Sequence, residues 1–199
     1  MGAMTTAERR GYQQICGDNG AMMVIACDQR GGMRQILAKT PEEQAAISND
    51  TLGETKADIA LYLASQAGCV LVDPICAVPS LIDGWILPRH TGLLIGLDAS
   101  GYDSTPEGYR LSRLCEGIDA RRVRELGGTG GKIMVYLRMD RPEANTHNIE
   151  ILKQCIADFA REDLLLVVEF LTYSLNDETP EDYAAKLPML IQDGCRLCL

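Results

Sequence analysis

The sequence predicts an α/β fold of the (β/α)-barrel, TIM-barrel type, in a single domain spanning residues 1–199. Three observations predict it. Short apolar runs alternate with helical patterns five times over. The runs are apolar on both faces, as in strands covered by helices. Four of the five end on a carboxylate: Asp28, Asp73, Asp98 and Glu169. A barrel gathers such ends into one ring at its C-terminal face, whereas an open doubly wound sheet spreads them out.

The elements follow in order. Thr5 and Thr6 cap a first helix reaching Cys16, stopped by Gly17-Asp18-Asn19-Gly20. Residues 21–27 form a buried strand that halts on Asp28-Gln29-Arg30 and is broken by Gly31 and Gly32. A short helix spans 33–38. Pro41, backed by Glu42 and Glu43, opens a helical region to about residue 67, with Gly53 as a point of interruption. A second strand, 69–72, stops on Asp73-Pro74, and a helix covers 77–87. The third strand, 92–97, ends on Asp98. A polar loop over 99–109 is long enough to be functional or disordered. A helix at 118–126 carries Arg121, Arg122 and Arg124 on a solvated face, and the glycines of 127–131 read as a turn. The fourth strand is 132–137. Ile149, Leu152, Ile156 and Phe159 at helical spacing mark a helix over 145–161. The fifth strand, 164–168, ends at Glu169. Thr179-Pro180 caps a last helix running through Leu190 toward Leu199.

Composition narrows the function. The chain of 199 residues is 46% hydrophobic with a formal net charge of -9, which argues against a nucleic-acid surface. An acidic protein can still hold a basic pocket for an acidic substrate. No apolar run approaches the ~18 residues of a membrane span, and the N-terminus lacks the form of a secretory signal. Gly2-Ala3 before a second methionine has the form of a cloning remnant, with Met4 as the native start. The eight cysteines then read as free thiols in a reducing cytoplasm. Cys195 and Cys198 form a lone CxxC, a weak signal for metal or redox use without a second ligand pair. The first strand–helix turn has no GxGxxG or GKS element, so nucleotide binding there is unsupported.

The candidate site centres on Lys132, a lysine in a strand that should be buried. Either it is a strand end reaching solvent beside Gly131, or it lies inside the barrel facing Asp28 or Glu169, since a buried ammonium needs a partner. An interior lysine can act as a general acid or base, or attack a carbonyl to form a Schiff base. Lys39, Lys56, Lys153 and Lys186 fall on helices or their ends and read as surface residues.

Five segments in order carry a resemblance: Ala26-Cys27-Asp28-Gln29-Arg30-Gly31, Leu71-Val72-Asp73-Pro74, Gly101-Tyr102-Asp103-Ser104-Thr105, Gly131-Lys132-Ile133-Met134-Val135-Tyr136, and Val168-Glu169-Phe170-Leu171-Thr172-Tyr173. Together, from about residue 12 to 190, the chain resembles the class I tagatose-1,6-bisphosphate aldolase family, which includes sulfofructose-phosphate aldolases. The resemblance implies a (β/α)₈ barrel that cleaves a ketose phosphate to dihydroxyacetone phosphate and an aldehyde. It implies a Schiff-base lysine, no metal and no other cofactor. The family's strand-one Asp-Gln pair falls on Asp28 and Gln29, as contacts to substrate and catalytic lysine, with Arg30 beside them as a further substrate-binding group. Its strand-four lysine falls on Lys132 and its proton-transferring glutamate on Glu169. The Schiff-base lysine belongs on strand six and the phosphate groups on the last two strands, beyond Leu199. The expectation is therefore the first five units of eight, the N-terminal part of an aldolase. In that frame Lys132 tunes the nucleophile's pKa. Five units alone leave the outer strands as open edges, which favours association of copies. A metal-dependent barrel lyase using Asp28, Asp73, Asp98 and Glu169, and a non-catalytic aldolase-like protein, are the alternatives.

Overall fold

The computed structural model describes residues 4–198; the predicted cloning remnant at 1–3 lies outside the described residues. Five parallel strands form one sheet: β1 (Val24–Cys27), β2 (Cys69–Val72), β3 (Gly92–Gly96), β6 (Gly130–Tyr136) and β7 (Leu165–Leu171). The helices are α1 (Thr6–Ile15), α2 (Gly31–Leu37), α3 (Pro41–Ala46), α4 (Asn49–Leu63), α5 (Val78–Asp83), α6 (Ala120–Glu125), α7 (Thr146–Arg161) and α8 (Pro180–Cys198). A small antiparallel hairpin, β4 (Asp103–Ser104) and β5 (Arg110–Leu111), is inserted after β3. The sheet order is β1-β2-β3-β6-β7 and never reverses. With right-handed crossovers, an unreversed order puts every covering helix on one side, so the sheet is a parallel half-barrel rather than a doubly wound sheet.

The two faces separate cleanly. Val70, Val72, Leu93, Ile95, Ile133 and Val135 point outward into the helices, packing with Ala57, Ala60, Leu81, Val123 and Phe159. On the concave face, Cys69, Leu71, Leu94 and Leu165 close around Ile15 of α1. Helix α1, fixed at its start by a capping box between Thr5 and Glu8, thereby plugs the N-terminal end. The C-terminal half of the concave face is left to polar side chains. The strands are thus apolar on both faces only in their lower halves.

Several boundaries differ from the sequence expectation, each for a local reason. The first strand is shorter, because Met22 bridges antiparallel to Cys16 and Met22 and Met23 are exposed. The helical region from Pro41 breaks at Ile47, where Ser48 caps a new helix, and not at Gly53. Gly53 is buried in α4, where a Cβ would stand 2.5 Å from the Cys76 carbonyl oxygen. The predicted 77–87 helix ends at Asp83, and Trp85 takes a φ of 54°. Gly130 and Gly131 belong to the fourth strand of the sheet instead of a turn. A Cβ on Gly131 would meet the Phe159 ring at 2.4 Å, and one on Gly130 the Leu165 carbonyl at 2.6 Å. These glycines let α7 and β7 lie close to β6. Glu169 lies inside β7, which continues to Leu171.

Lys56 is not a surface residue. It is fully buried in α4 and paired with Asp73, which follows β2. Its position on the stripe Leu52, Gly53, Lys56, Ala57, Ala60 aims it at the sheet. Asp73 also accepts hydrogen bonds from the Ile75 and Cys76 amides and lies 3.9 Å from the Arg30 guanidinium. All eight cysteines are free, and Cys195 and Cys198 lie on the last turn of α8. No helix is long and apolar enough to cross a membrane among the described residues.

Two stability changes follow. Gly131→Ala forces the Phe159 ring from its site and lowers stability by about 1–3 kcal/mol in urea titration, whereas Gly31→Ala, with open space around its Cβ, stays near wild type. Lys56→Met strands the Asp73 carboxylate and costs about 3 kcal/mol. Adding Asp73→Asn recovers part of that loss, since the amide oxygen still accepts from the Ile75 and Cys76 amides and no unpaired charge remains. A double variant less stable than Lys56→Met would contradict this pairing.

Candidate active site

Parallel pairing aligns residues on adjacent strands, so register decides what meets on the concave face. Lys132 pairs with Gly96 on one side and Val167 on the other, and points inward. Met134 is opposite Glu169. Asp28 and Asp98 follow the ends of β1 and β3. These placements converge on the Lys132 ammonium. Its Nζ lies 2.9 Å from Asp28 Oδ2, 3.3 Å from Asp98 Oδ1 and 2.8 Å from Glu169 Oε2. The Lys132 side chain is 8% exposed, while Glu169 is 46% exposed and faces the open cleft.

The electrostatics are those of one cation among three carboxylates. Burial pulls the Lys132 ammonium's pKa down. The Asp98 charge and the hydrogen bonds to Glu169 and Asp28 more than offset this, and the net shift is upward. Lys132 is therefore an ammonium, not a free amine. Its contribution to stability is present below the ordinary lysine value and is lost only as pH rises through its elevated value. Asp98 is pushed the other way from most paired carboxylates. Burial raises its pKa, the Lys132 charge opposes that, and the Asp28 charge adds to it. The Met134 amide also donates to Asp98 Oδ1.

The cleft in front of this cluster has a volume of about 430 Å³, and its walls include Gln29, Arg30, Gln35, Ser100 and Gly101. All five residues nominated from the sequence line it: Asp28, Gln29, Arg30, Lys132 and Glu169. Asp28 and Glu169 both meet the Lys132 ammonium; Gln29 and Arg30 form a wall. Arg30 is fixed by donating to the Asp98 carbonyl and to Ser100 Oγ. Lys132 is the interior lysine, not the solvent-facing strand end. Of the four strand-end carboxylates, Asp73 does not join the ring but turns under α4 to Lys56. No group of three or more His, Cys, Asp and Glu side chains is arranged to hold a metal ion among the described residues; the Lys132 ammonium sits at the centre of the three carboxylates instead.

The sequence marks Asp98 as a strand end and as a ligand of the metal alternative, but does not nominate it for the aldolase site. Sequence reasoning missed Arg138 altogether. Arg138 follows β6, is fully buried, and donates to Glu178 and Asp140 and to the Tyr173 carbonyl. It ties the C-terminal end of β6 to the segment entering α8, and its guanidinium beside Glu178 holds that carboxyl well below the usual range. No local pattern marks an arginine whose partner lies 40 residues away.

The family model described as "DeoC/LacD family aldolase" matches residues 22–194. The tagatose 1,6-diphosphate aldolase of Streptococcus agalactiae is 25% identical over 197 residues, covering 98% of this chain and 59% of that protein. The tagatose 1,6-diphosphate aldolase of Listeria monocytogenes is 29% identical over 196 residues, covering 95% and 55%. A solved structure from Corynebacterium glutamicum superposes with a TM-score of 0.52 at 15% identity, covering 84% of this chain and 56% of the other. The chain thus spans less than two thirds of the length of these curated relatives. The match over 22–194 establishes that the chain belongs to the DeoC/LacD aldolase family.

Proposed function

We propose that this chain forms the first five units of an eight-unit barrel. Its cleft is the N-terminal half of a class I aldolase site cleaving a ketose bisphosphate, such as tagatose 1,6-bisphosphate, to dihydroxyacetone phosphate and an aldehyde. The observation that carries the reading is the Lys132 ammonium locked among Asp28, Asp98 and Glu169. An imine-forming lysine must offer a neutral amine. A lysine held by three carboxylates does not, so Lys132 serves as a fixed positive charge, and the nucleophile is a separate lysine supplied from outside residues 1–199. The Lys132 charge offsets part of that of the three carboxylates beside the incoming lysine and holds them in place.

The roles of the other groups follow. With the substrate ketone converted to an iminium, the bond between C3 and C4 breaks and its electron pair moves into the iminium. The C4 hydroxyl loses its proton as the aldehyde forms, and Glu169, half exposed toward the cleft and tethered by Lys132, is the base that takes it. Asp28 and Gln29 orient the substrate, and Arg30 adds positive charge to the wall. The lengths of the curated relatives support a longer barrel.

Borohydride trapping with tagatose 1,6-bisphosphate, followed by peptide mapping, tests the reading. On the 199-residue chain Lys132 stays unmodified. On the chain completed with the unmatched portion of the Streptococcus agalactiae relative, one adduct forms on a lysine of the added portion, and cleavage is indifferent to EDTA. In that completed barrel Glu169→Gln lowers kcat by about 10²–10⁴ with KM little changed. An adduct on Lys132, or cleavage abolished by EDTA, would overturn the assignment.

A further inference from the structure

Three tyrosines surround one arginine at the upper rim of the concave face. Tyr136 shares the inward face of β6 with Lys132, four residues or ~13 Å further along the strand. Tyr173 follows β7 on the same side and is almost fully buried. Tyr102 comes next in sequence after Gly101 of the cleft wall. The rings of Tyr102 and Tyr136, and of Tyr136 and Tyr173, pack edge to face at 5.1 and 5.9 Å. The Arg110 guanidinium stands 4.4, 5.3 and 4.9 Å from the ring centres of Tyr102, Tyr136 and Tyr173. Its backbone is pinned as well: the Arg110 amide donates to the Tyr173 hydroxyl, and its carbonyl accepts from Asn148.

This arrangement is unusual for a cation on a chain of net charge -9. The other cations near the cleft are committed. Lys132 is saturated by three carboxylates. Arg30 is held by Asp98, Ser100 and Asp73, Arg113 by Asp103 and the Ser100 carbonyl, and Arg138 by Asp140 and Glu178. Arg110 alone among these has no carboxylate within ion-pair distance among the described residues. Aromatic rings hold a guanidinium by its faces and leave its edge of N–H donors free. A planar fork of that kind matches two oxygens of a phosphoryl group.

The geometry points to Arg110 as a subsite for a terminal phosphoryl group, the tyrosine cage holding its guanidinium above the cleft wall at Gly101. The proposal rests on the aldolase reading in one respect: the phosphoryl group is taken to be that of the aldehyde half of the substrate. The Asp28, Asp98 and Glu169 carboxylates repel such a dianion from the cleft floor. A substrate bound with its carbon chain near Lys132 therefore places its charged end at the rim.

Binding to the 199-residue chain tests this without requiring turnover. Titration with D-glyceraldehyde 3-phosphate, D-glyceraldehyde and inorganic phosphate is followed by shifts of the Arg110 side-chain and Tyr102 amide NMR signals. The phosphorylated aldehyde and inorganic phosphate should bind, and glyceraldehyde should not. Arg110→Met weakens the phosphorylated aldehyde by about tenfold or more, and Arg110→Lys keeps part of the affinity. Melting temperatures report whether the hairpin survives each change, and Tyr102→Leu loosens the cage while keeping the charge, giving a smaller loss. Equal affinity in wild type and Arg110→Met, or no phosphate-dependent shift in wild type, would overturn the subsite. Phosphate binding at Arg110 combined with a borohydride adduct on Lys132 would keep the subsite and discard the mechanism proposed above.

Discussion

Everything in the cleft depends on one ion cluster, the Lys132 ammonium among Asp28, Asp98 and Glu169. A buried ammonium with a single partner recovers little of its lost hydration. With three carboxylates the balance reverses, and the charged lysine is the stable form. The excess negative charge is then relieved from two sides: burial raises the pKa of Asp98, and Glu169 remains open to the cleft. A half-exposed carboxylate tethered by a fixed cation is available to a substrate in a way that a buried one is not.

The cluster exists because the strands are in one register. A one-residue slip of β6 would turn Lys132 into the helix layer and bring Gly131 or Ile133 to the concave face. Register is pinned from several directions. Phe159 occupies the space a Gly131 side chain would fill, and Ile15 plugs the lower end against β2, β3 and β7. Arg138 clamps the upper end of β6 to the approach to α8. The pair Lys56–Asp73 works from the outside, fixing the turn after β2 and, through Asp73, one side of Arg30.

Much of this was legible in the sequence. The alternation of strand and helix gave the parallel sheet, and the carboxylates at strand ends anticipated a ring at one end, of which three of four members are realised. The inward Lys132 could be suspected because a lysine within an apolar strand needs a partner. What escaped was long-range. Lys56 looked like any helix lysine until its stripe of small residues was found to face the sheet, and Asp73 left the ring to meet it. The glycines at 130 and 131 read as a turn because a glycine required for close packing looks the same as one required for a bend. Arg138 and the aromatic cage of Arg110 depend on residues brought together by the hairpin and by α8, which no local spacing encodes.

The charge state of Lys132 tests the central claim most directly. Side-chain NMR of the ε-ammonium in isotopically labelled protein, followed from about pH 6 to about pH 10, should show Lys132 protonated throughout. The Asp98→Asn variant should lower the pH at which Lys132 titrates, since the Asp98 charge is a main cause of its upward shift. A wild-type Lys132 that releases its proton near neutrality would mean a free amine at the centre of the cleft, and would contradict the reading of this lysine as a fixed charge.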